Sequence, residues 1–400
     1  MQFEFFPKET PKDKKQCIFF YFTGKNEAEM QALKPANYDI SYDFNKNYFI
    51  TGDNIDALSG LQKTLQGKIK MIYIDPPYNV RSKLIYKDSL SRVDWLSMMY
   101  PRLMLARELL KDDGVIFISI DDNEQAHLKI LCDEIFGERN LVAQFIWQRA
   151  YAPKNNNKHA SVNHDFILCY AKNIKKLSNF LLPRTKEANA RYKNPDNDPR
   201  GLWKSENFST MGISNKNRYE ITTPRGRVVS PPAGRSWVVS KEKFEELKED
   251  NRIWFGANNN SVPRYKIFLD DVKKGIVPMT IWEYKDVGHT QEAAQETKKI
   301  FDGEAFFHFP KPVKLIKRIC QLATEKEDII LDFFAGSGTT GQAVIEQNAE
   351  DGGNRKFILV QIAEELDEKS DAYKAGYKTI ADIARERLRR TGCVFDELTI

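Results

Sequence analysis

Apolar residues follow two alternating patterns in the first and last parts of the chain. Short continuous apolar runs predict strands that are buried on both faces of a parallel sheet. Apolar residues spaced three and four positions apart predict amphipathic helices between those strands. The predicted strands are 48–50, 69–74, 115–120, 329–334 and 356–362, and the predicted helices are 54–66, 95–110, 123–136, 311–324, 341–348 and 379–390. This alternation predicts an α/β fold with a Rossmann-like, doubly wound sheet.

The alternation stops near Gly137. Gly114 is the expected break between the helix 95–110 and the strand 115–120. From Ala143 to about Lys299, loop signals are interleaved with aromatic and basic residues. We therefore predict one α/β domain in two sequence pieces, with a different domain inserted between them. The expected boundaries are 1–45 for an N-terminal extension, 46–142 and 301–400 for the two pieces, and 143–300 for the insert.

The composition is that of an ordinary globular protein, with 41% hydrophobic and 29% charged residues. No run approaches the ~20 apolar residues of a membrane helix, and the first residues lack the apolar core of a signal peptide. A cytoplasmic protein is therefore expected. The five cysteines are scattered without metal-ligand spacing, so we expect no metal site.

Positive charge is concentrated in the predicted insert. Residues 149–299 contain 28 Lys and Arg against 17 Asp and Glu, which is a net +11, whereas the remaining chain carries −6 of the total +5. A basic middle on an acidic body indicates that the middle meets a polyanion. A basic solvated surface without such a partner is the alternative interpretation.

A proline-rich tetrapeptide, Asp75-Pro76-Pro77-Tyr78, follows directly on the predicted strand 69–74. Ligands of open α/β sheets bind outside the carboxyl ends of the strands, so this loop is expected to border a site. The prolines stiffen the loop and remove two backbone donors. The Asp75 carboxylate and the Pro76 carbonyl then lie as acceptors beside the Tyr78 ring, which suits a planar base with an NH2 group that has left the duplex stack. A rigid turn without function is the alternative.

A second candidate loop joins a predicted strand to a helix and reads Asp332-Phe333-Phe334-Ala335-Gly336-Ser337-Gly338. Its glycines allow close approach of the backbone to a ligand beside a helix N-terminus. The full G-x-G-x-x-G pattern and a phosphate-loop lysine are both missing, which disfavours NAD and ATP. A small adenosyl ligand without a triphosphate fits better, and Asp332 is a candidate for meeting its ammonium group. A mere tight turn is the alternative.

A carboxylate follows the next predicted strand, 356–362. In dinucleotide-binding folds a carboxylate at this place holds ribose hydroxyls. We expect Glu364 in that role, with Glu365 as its neighbouring alternative. A solvated carboxylate at a strand end is the other interpretation.

Together, Asp75–Tyr78 and Asp332–Gly338 resemble the two motifs of the amino-methyltransferases of DNA. Their order, with a basic insert between them, is similar to the permuted beta class. Further segments resemble the modification (Mod) subunits of Type III restriction-modification systems, over roughly residues 45–365. These segments are Gly52-Asp53-Asn54, 113–122, 201–203, 252–256 and Lys311-Pro312-Val313.

The resemblance implies a site-specific DNA methyltransferase that transfers a methyl group from S-adenosyl-L-methionine to adenine N6 as part of a restriction system. It implies that Asp75, Pro76 and Tyr78 hold the target adenine. It further implies double-stranded DNA as substrate, work at the nucleoid, a homodimer, and a restriction (Res) subunit as partner.

The resemblance also assigns the cofactor residues. Phe334, Gly336 and Gly338 are implied to cradle the methionine end of the cofactor, within the loop that also contains Phe333, Ala335 and Ser337. Asp53 and Lys311 are implied to belong to the cofactor pocket.

Several alternatives stay open. Aspartate rather than serine at position 75 favours adenine N6 over cytosine N4 among enzymes of this kind, and the lack of a Pro-Cys nucleophile disfavours cytosine C5. A cytosine-N4 methyltransferase, a methyltransferase of RNA or of a protein glutamine, and a non-catalytic DNA-binding specificity subunit are the competing interpretations.

The insert is the expected target-recognition domain. Its three tryptophans Trp203, Trp237 and Trp254 fit a small hydrophobic core as well as DNA contacts. Arginines of the insert are candidates for contacts to phosphate or guanine. They are Arg149, Arg184, Arg191, Arg218, Arg225, Arg227, Arg235 and Arg264.

Overall fold

The computed structural model of the protein describes residues 22–34, 39–80, 90–153, 158–272, 275–307 and 309–400. Part of the predicted N-terminal extension and the predicted loop at 155–157 lie outside the described residues. The chain divides into two compact units. The first combines Met1–Phe180 with Met279–Ile400, and the second is Leu181–Pro278.

The strands are numbered here along the chain. They are β1 (Tyr48–Thr51), β2 (Ile69–Ile74), β3 (Leu110–Ile120), β4 (Leu141–Trp147), β5 (Asp165–Ala171), β6 (Leu182–Pro183), β7 (Trp203–Asn207), β8 (Ser209–Met211), β9 (Ile221–Thr222), β10 (Val228–Val229), β11 (Arg235–Trp237), β12 (Ile253–Trp254), β13 (Arg264–Phe268), β14 (Gly275–Ile276), β15 (Ile281–Trp282), β16 (Ile329–Asp332), β17 (Lys356–Gln361) and β18 (Asp396–Thr399).

The α-helices are numbered in the same way. They are α1 (Lys25–Ala32), α2 (Asn54–Leu65), α3 (Arg92–Leu109), α4 (Gln125–Cys132), α5 (Lys186–Asn189), α6 (Lys241–Glu249), α7 (Tyr284–Val287), α8 (Thr290–Ile300), α9 (Val313–Ala323), α10 (Thr339–Asp351), α11 (Asp371–Lys374) and α12 (Ile380–Arg390). A π-helical turn at Asp133–Gly137 continues α4, so the predicted helix 123–136 is regular only over its first part. Among the described residues, no helix is long and apolar enough to span a membrane.

The first unit is built on a nine-stranded sheet in the order β15-β4-β5-β3-β2-β16-β17-β1-β18. Its neighbours are parallel except that β5 runs antiparallel to both β3 and β4. Strands from the two predicted sequence pieces meet where β2 pairs with β16. The strand order reverses at this junction, and such a junction opens a crevice at the carboxyl ends of the strands.

The predicted apolar pattern agrees with the packing of this sheet. The predicted strand 69–74 is observed with the same bounds as β2, and every residue in it is buried. The predicted break at Gly114 is wrong, because the helix already ends at Leu109 and Gly114 lies inside β3. A Cβ at Gly114 would lie 2.9 Å from the Lys111 carbonyl oxygen, so a close backbone approach requires glycine there.

The second unit contains four small antiparallel sheets, β10-β9, β11-β8, β12-β13-β7 and β14-β6. Trp237 and Trp203 are buried, and Trp254 lies edge-on against Trp203, so the tryptophans belong to the core of this unit. Lys266 is fully buried beside the carboxylates of Asp196 and Asp198. The unit lies within the predicted insert 143–300, while β4, β5 and β15 pair in the large sheet.

Candidate active site

The predicted site residues of the first unit converge because parallel strands end at one edge of a sheet. Asp75 follows β2, Asp332 ends β16, Glu364 follows β17, and Asp53 follows β1. These segments border a cavity of about 420 Å³. This volume is within the range of ~300–1,000 Å³ that small-molecule sites span. The edge predicted from sequence is therefore the edge that carries the cavity.

Nearly all the predicted site residues line this cavity. They are Asp53, Asp75, Pro76, Pro77, Tyr78, Lys311, Asp332, Phe333, Phe334, Ala335, Gly336, Ser337 and Glu364. Gly338 does not line it. A Cβ on Gly338 would lie 3.3 Å from the Ala384 carbonyl oxygen and from the Leu388 side chain, so this glycine packs against α12. The structure therefore places Gly338 behind the cavity lining rather than in it.

A hydrogen bond from α3 holds the Asp75–Tyr78 loop in place. The buried indole of Trp95 donates from Nε1 to the Pro77 carbonyl oxygen over 2.7 Å. Among the described residues, no backbone N–H donates to the Pro76 carbonyl. Fixing one carbonyl and leaving the other as an acceptor agrees with the chemistry that the two prolines predicted.

Asp75 presents its two carboxylate oxygens to different surroundings. Lys311 Nζ donates to Oδ2 over 2.5 Å, and the two side chains are only 11% and 27% exposed. Oδ1 is buried and has no hydrogen-bond partner among the described residues. A buried acceptor without a partner is costly, which indicates a site that a ligand donor completes.

Lys311 also faces the aromatic part of the site. Its ammonium nitrogen lies 4.9 Å from the centre of the Tyr78 ring and 5.9 Å from that of Trp147. The Tyr78 hydroxyl is buried and interacts with the Asp75 carboxylate without a hydrogen bond of good geometry. Lys311, implied from sequence to be a cofactor residue, is therefore a partner of the Asp75–Tyr78 loop.

Neighbouring strands hold the glycine loop in place. Gly336 has a left-handed φ of +55° and donates its N–H to Gln361 Oε1 over 2.7 Å. Asn54 donates from Nδ2 to the Phe333 carbonyl over 2.7 Å. Asp53 caps α2 by accepting from Ile55 N and also accepts from Arg102 over 2.8 Å. The segment after β1 thus supports the loop after β16.

Asp332 lies under this loop and is 2% exposed. Its carboxylate accepts from the Phe334 N–H over 3.0 Å and from the Thr340 hydroxyl over 2.5 Å. Burial raises the pKa of Asp332 from 3.8 to about 7, although these two donors oppose the rise. Near neutral pH this carboxyl is therefore close to its titration point.

Replacing Asp332 with asparagine is expected to raise the melting temperature, by an amount that grows from about pH 4 to about pH 8. The folded protein keeps the Asp332 proton up to about pH 7, whereas the unfolded chain loses it near pH 3.8, so the contribution of this carboxyl to stability falls as pH rises between those values. Thermal unfolding of both proteins across this range measures the effect. An equal difference at both ends would contradict it.

Sequence reasoning missed an ion pair in the cavity wall. Arg149 Nε lies 2.7 Å from Asp165 Oδ1, and both residues line the cavity. Burial raises the pKa of Asp165 to about 6, against the opposing charges of Lys311 and Arg149. Arg149, a candidate DNA contact by sequence, is thus engaged inside the first unit. Asp165 begins an antiparallel strand that lay in a loop-rich stretch, so no motif marked it.

Two adjacent glutamates differ in their position relative to the cavity. Glu364 lines it, whereas Glu365 is exposed and its backbone pairs with Thr379.

In the described part of the chain, no cluster of three or more His, Cys, Asp and Glu side chains is arranged to hold a metal ion.

Residues 69–372 of the chain match the family of DNA methylases. The chain belongs to the DNA methylase family. The segment matched in this family includes the Asp75–Tyr78 loop, the second unit and the glycine loop.

Two relatives in this family are similar along most of the chain. The chain is 38% identical over 412 residues to the Type III restriction-modification enzyme StyLTI Mod subunit of Salmonella typhimurium, covering 92% of this chain and 62% of that protein. It is 34% identical over 394 residues to the Type II methyltransferase M.KpnI of Klebsiella pneumoniae, covering 88% and 91%. The resemblance to Type III modification subunits is confirmed, and the chain spans less than two thirds of the StyLTI relative.

A solved structure, the PvuII DNA methyltransferase (cytosine-N4-specific), aligns with a TM-score of 0.44 and 14% identity over 92% of this DNA methylase and 98% of that chain. A structural similarity at this level gives no information on the function of this DNA methylase.

Proposed function

We propose that this DNA methylase transfers the methyl group of S-adenosylmethionine to adenine N6 at a short sequence in double-stranded DNA. The observation that carries the proposal is the Asp75 carboxylate, of which Lys311 holds one oxygen while the other is buried and unpartnered. An exocyclic amine would donate to that oxygen while its ring lies against Tyr78. A base in this position has left the duplex stack.

The proposed mechanism is direct transfer with no covalent enzyme intermediate. Asp75 Oδ1 and the Pro76 carbonyl accept the two N6 hydrogens, which aims the nitrogen lone pair away from the ring plane. A bound S-adenosylmethionine would supply the methyl group to N6, and Asp75 would accept the proton that N6 loses on methylation. Positioning of the reactants supplies up to ~7–11 kcal/mol in favourable cases.

The residues of the cavity fit S-adenosylmethionine, which supplies an electrophilic methyl group on its sulfonium. Gly336 brings backbone close to the cavity in a conformation that favours glycine. The carboxylate of Glu364 at the end of β17 suits ribose hydroxyls. Asp332 is a buried acidic group beneath the glycine loop, which suits the cationic part of the ligand.

Replacing Tyr78 with alanine is expected to weaken DNA methylation by about 10- to 100-fold in kcat/KM, because base–aromatic stacking is worth ~1–3 kcal/mol. Replacing it with phenylalanine keeps the ring and is expected to retain most of the activity. Steady-state kinetics on one oligonucleotide duplex compare the two variants. Equal losses in both would assign the effect to the hydroxyl and contradict stacking.

The second unit is the proposed target-recognition domain. Arg235 and Arg264 are bound to Ser209 and Ser205 within it. Arg218 and Arg225 are exposed, which leaves them better placed for contacts to DNA. Because the StyLTI relative is the Mod subunit of a restriction-modification enzyme, we further propose a restriction subunit as partner. A homodimer and work at the nucleoid in the cytoplasm are proposed from the sequence resemblance alone.

Product analysis tests the proposal. Purified protein, methyl-tritiated S-adenosylmethionine and unmethylated plasmid DNA are incubated, and the DNA is digested to nucleosides and separated. Label in N6-methyl-2′-deoxyadenosine is expected. Label in N4-methyl-2′-deoxycytidine would contradict the assignment of adenine. Protein that binds the cofactor but labels no DNA would contradict catalysis on DNA.

A further inference from the structure

Arg387 in α12 is a buried cation that the proposed mechanism does not use. Its side chain is 1% exposed. Within the described residues no carboxylate lies at ion-pair distance from its guanidinium, and Glu296 and Glu346 act on it only from farther away. Burial lowers the pKa of Arg387 to about 10, so it stays charged at neutral pH. A buried charge without a close counter-charge destabilises the folded protein. A functional role would therefore account for the presence of Arg387 at this position.

The guanidinium is bound to the wall of the cavity. Nη1 donates to Ser337 Oγ over 2.7 Å and to Thr339 Oγ1 over 2.8 Å, while Nε donates to Gln342 over 3.0 Å. Ser337 and Thr339 both line the cavity, whereas Arg387 does not. The cation therefore reaches the site only through two hydroxyl groups.

Counting donors and acceptors shows which hydrogen-bonding groups the Ser337 and Thr339 hydroxyls can offer to a ligand. Each hydroxyl has one hydrogen and two acceptor lone pairs, and each spends a lone pair on Nη1. The two oxygens lie 3.3 Å apart, so one hydrogen can bridge between them. At least one hydrogen is then free to donate to a ligand, from a hydroxyl that lines the cavity beside a buried positive charge. This arrangement is complementary to a carboxylate.

We propose that Arg387 is a positioning residue that orients the Ser337 and Thr339 hydroxyls as donors to the α-carboxylate at the methionine end of the cofactor. The inference rests on the proposed function, because that function brings an amino-acid carboxylate into this cavity. The bound carboxylate supplies the counter-charge that Arg387 lacks. Arg387 itself touches neither the substrate nor the reacting atoms.

Calorimetric binding of two ligands to the full chain tests the inference. S-adenosylhomocysteine carries the carboxylate, and its decarboxylated analogue keeps the adenosine, the thioether chain and the amine. Arg387→Met is expected to lower the affinity for S-adenosylhomocysteine by about 10- to 100-fold, the value of a charge-assisted hydrogen bond, and the affinity for the analogue by less than about twofold. A loop that was merely disordered would bind both ligands less well.

Two further variants keep the test decisive. Thr339→Val leaves the buried cation but removes one hydroxyl, so it gives the same selective loss even where Arg387→Met fails to fold. Arg390→Met is the matched control, because Arg390 lies on the same helix and pairs with Glu386 and Asp302 outside the cavity.

The outcomes separate this inference from the proposed function. Wild-type protein that binds neither ligand would overturn the proposed function. Wild-type protein that binds both ligands equally, or variants that lose both equally, would overturn the role of Arg387 alone.

Discussion

Alanine in place of Asp75 is expected to lower the rate of methyl transfer to DNA by about 100- to 1,000-fold, the usual effect of removing one preorganised polar group from a reacting centre. The variant loses the acceptor that aims the N6 lone pair, while the glycine loop and its supports stay intact. The affinity for S-adenosylhomocysteine is therefore expected to change by less than about twofold. Single-turnover transfer and equilibrium binding measure the two quantities separately.

Asp113→Ala is the matched control for this variant. Asp113 pairs with Lys70 over 2.6 Å near the amino end of β3, so its removal also breaks an Asp–Lys pair of the same sheet. This control is expected to transfer methyl groups at the wild-type rate. Equal rates of transfer by wild type and Asp75→Ala would refute the role of Asp75.

Lys311→Met is expected to lower the rate of transfer on the order of 100-fold, because misplacing a reacting group by about 1 Å costs that much. Lys311 donates to Asp75 Oδ2, and in the proposed mechanism this contact aims Oδ1 at the amine. The double variant Asp75→Ala, Lys311→Met is expected to be no slower than Asp75→Ala alone, since Lys311 acts through Asp75. Rates of the four proteins form a double-mutant cycle.

The cycle distinguishes two roles of Lys311. Losses that multiply in the double variant would show that Lys311 acts independently of Asp75, for example on the cofactor, as the sequence resemblance implied. Binding of S-adenosylhomocysteine by Lys311→Met provides the second check, with wild-type affinity expected.

The sheet and the two loops could be predicted because their signals are local. A continuous apolar run such as Ile69–Ile74 fits a strand with both faces covered, and its end fixes where Asp75 lies. The glycine loop follows β16 in the same way. Parallel strands then bring these loops to one edge, so the location of the cavity follows from chain order and strand direction.

Contacts between distant parts of the chain could not be predicted. Lys311 and Asp75 are 236 positions apart, and the pairing of β2 with β16 joins the two sequence pieces that contain them. The strands β4 and β5 flank a loop-rich stretch and pair antiparallel. The alternation of strands and helices along the chain, which predicted the parallel strands, therefore did not predict these two. For the same reason, the sequence did not predict that Arg149 and Asp165 line the cavity.

Arg387 had a signal that could have been used. Ile380, Ile383, Ala384 and Leu388 are buried at helical spacing on one face of α12, and Arg387 lies in the same stripe. An arginine in an apolar stripe predicts a buried cation, which needs partners. The partners themselves, hydroxyls some 50 positions earlier, required the structure.

Methylation-sensitive single-molecule sequencing tests the central claim most directly. A plasmid carrying the gene is grown in a host without DNA methylases, beside the same plasmid encoding Asp75→Ala. We expect N6-methyladenine at one short sequence motif with the intact gene and none with the variant. Unmodified adenine throughout the plasmid, in cells where the intact protein is folded and binds S-adenosylmethionine, would contradict it.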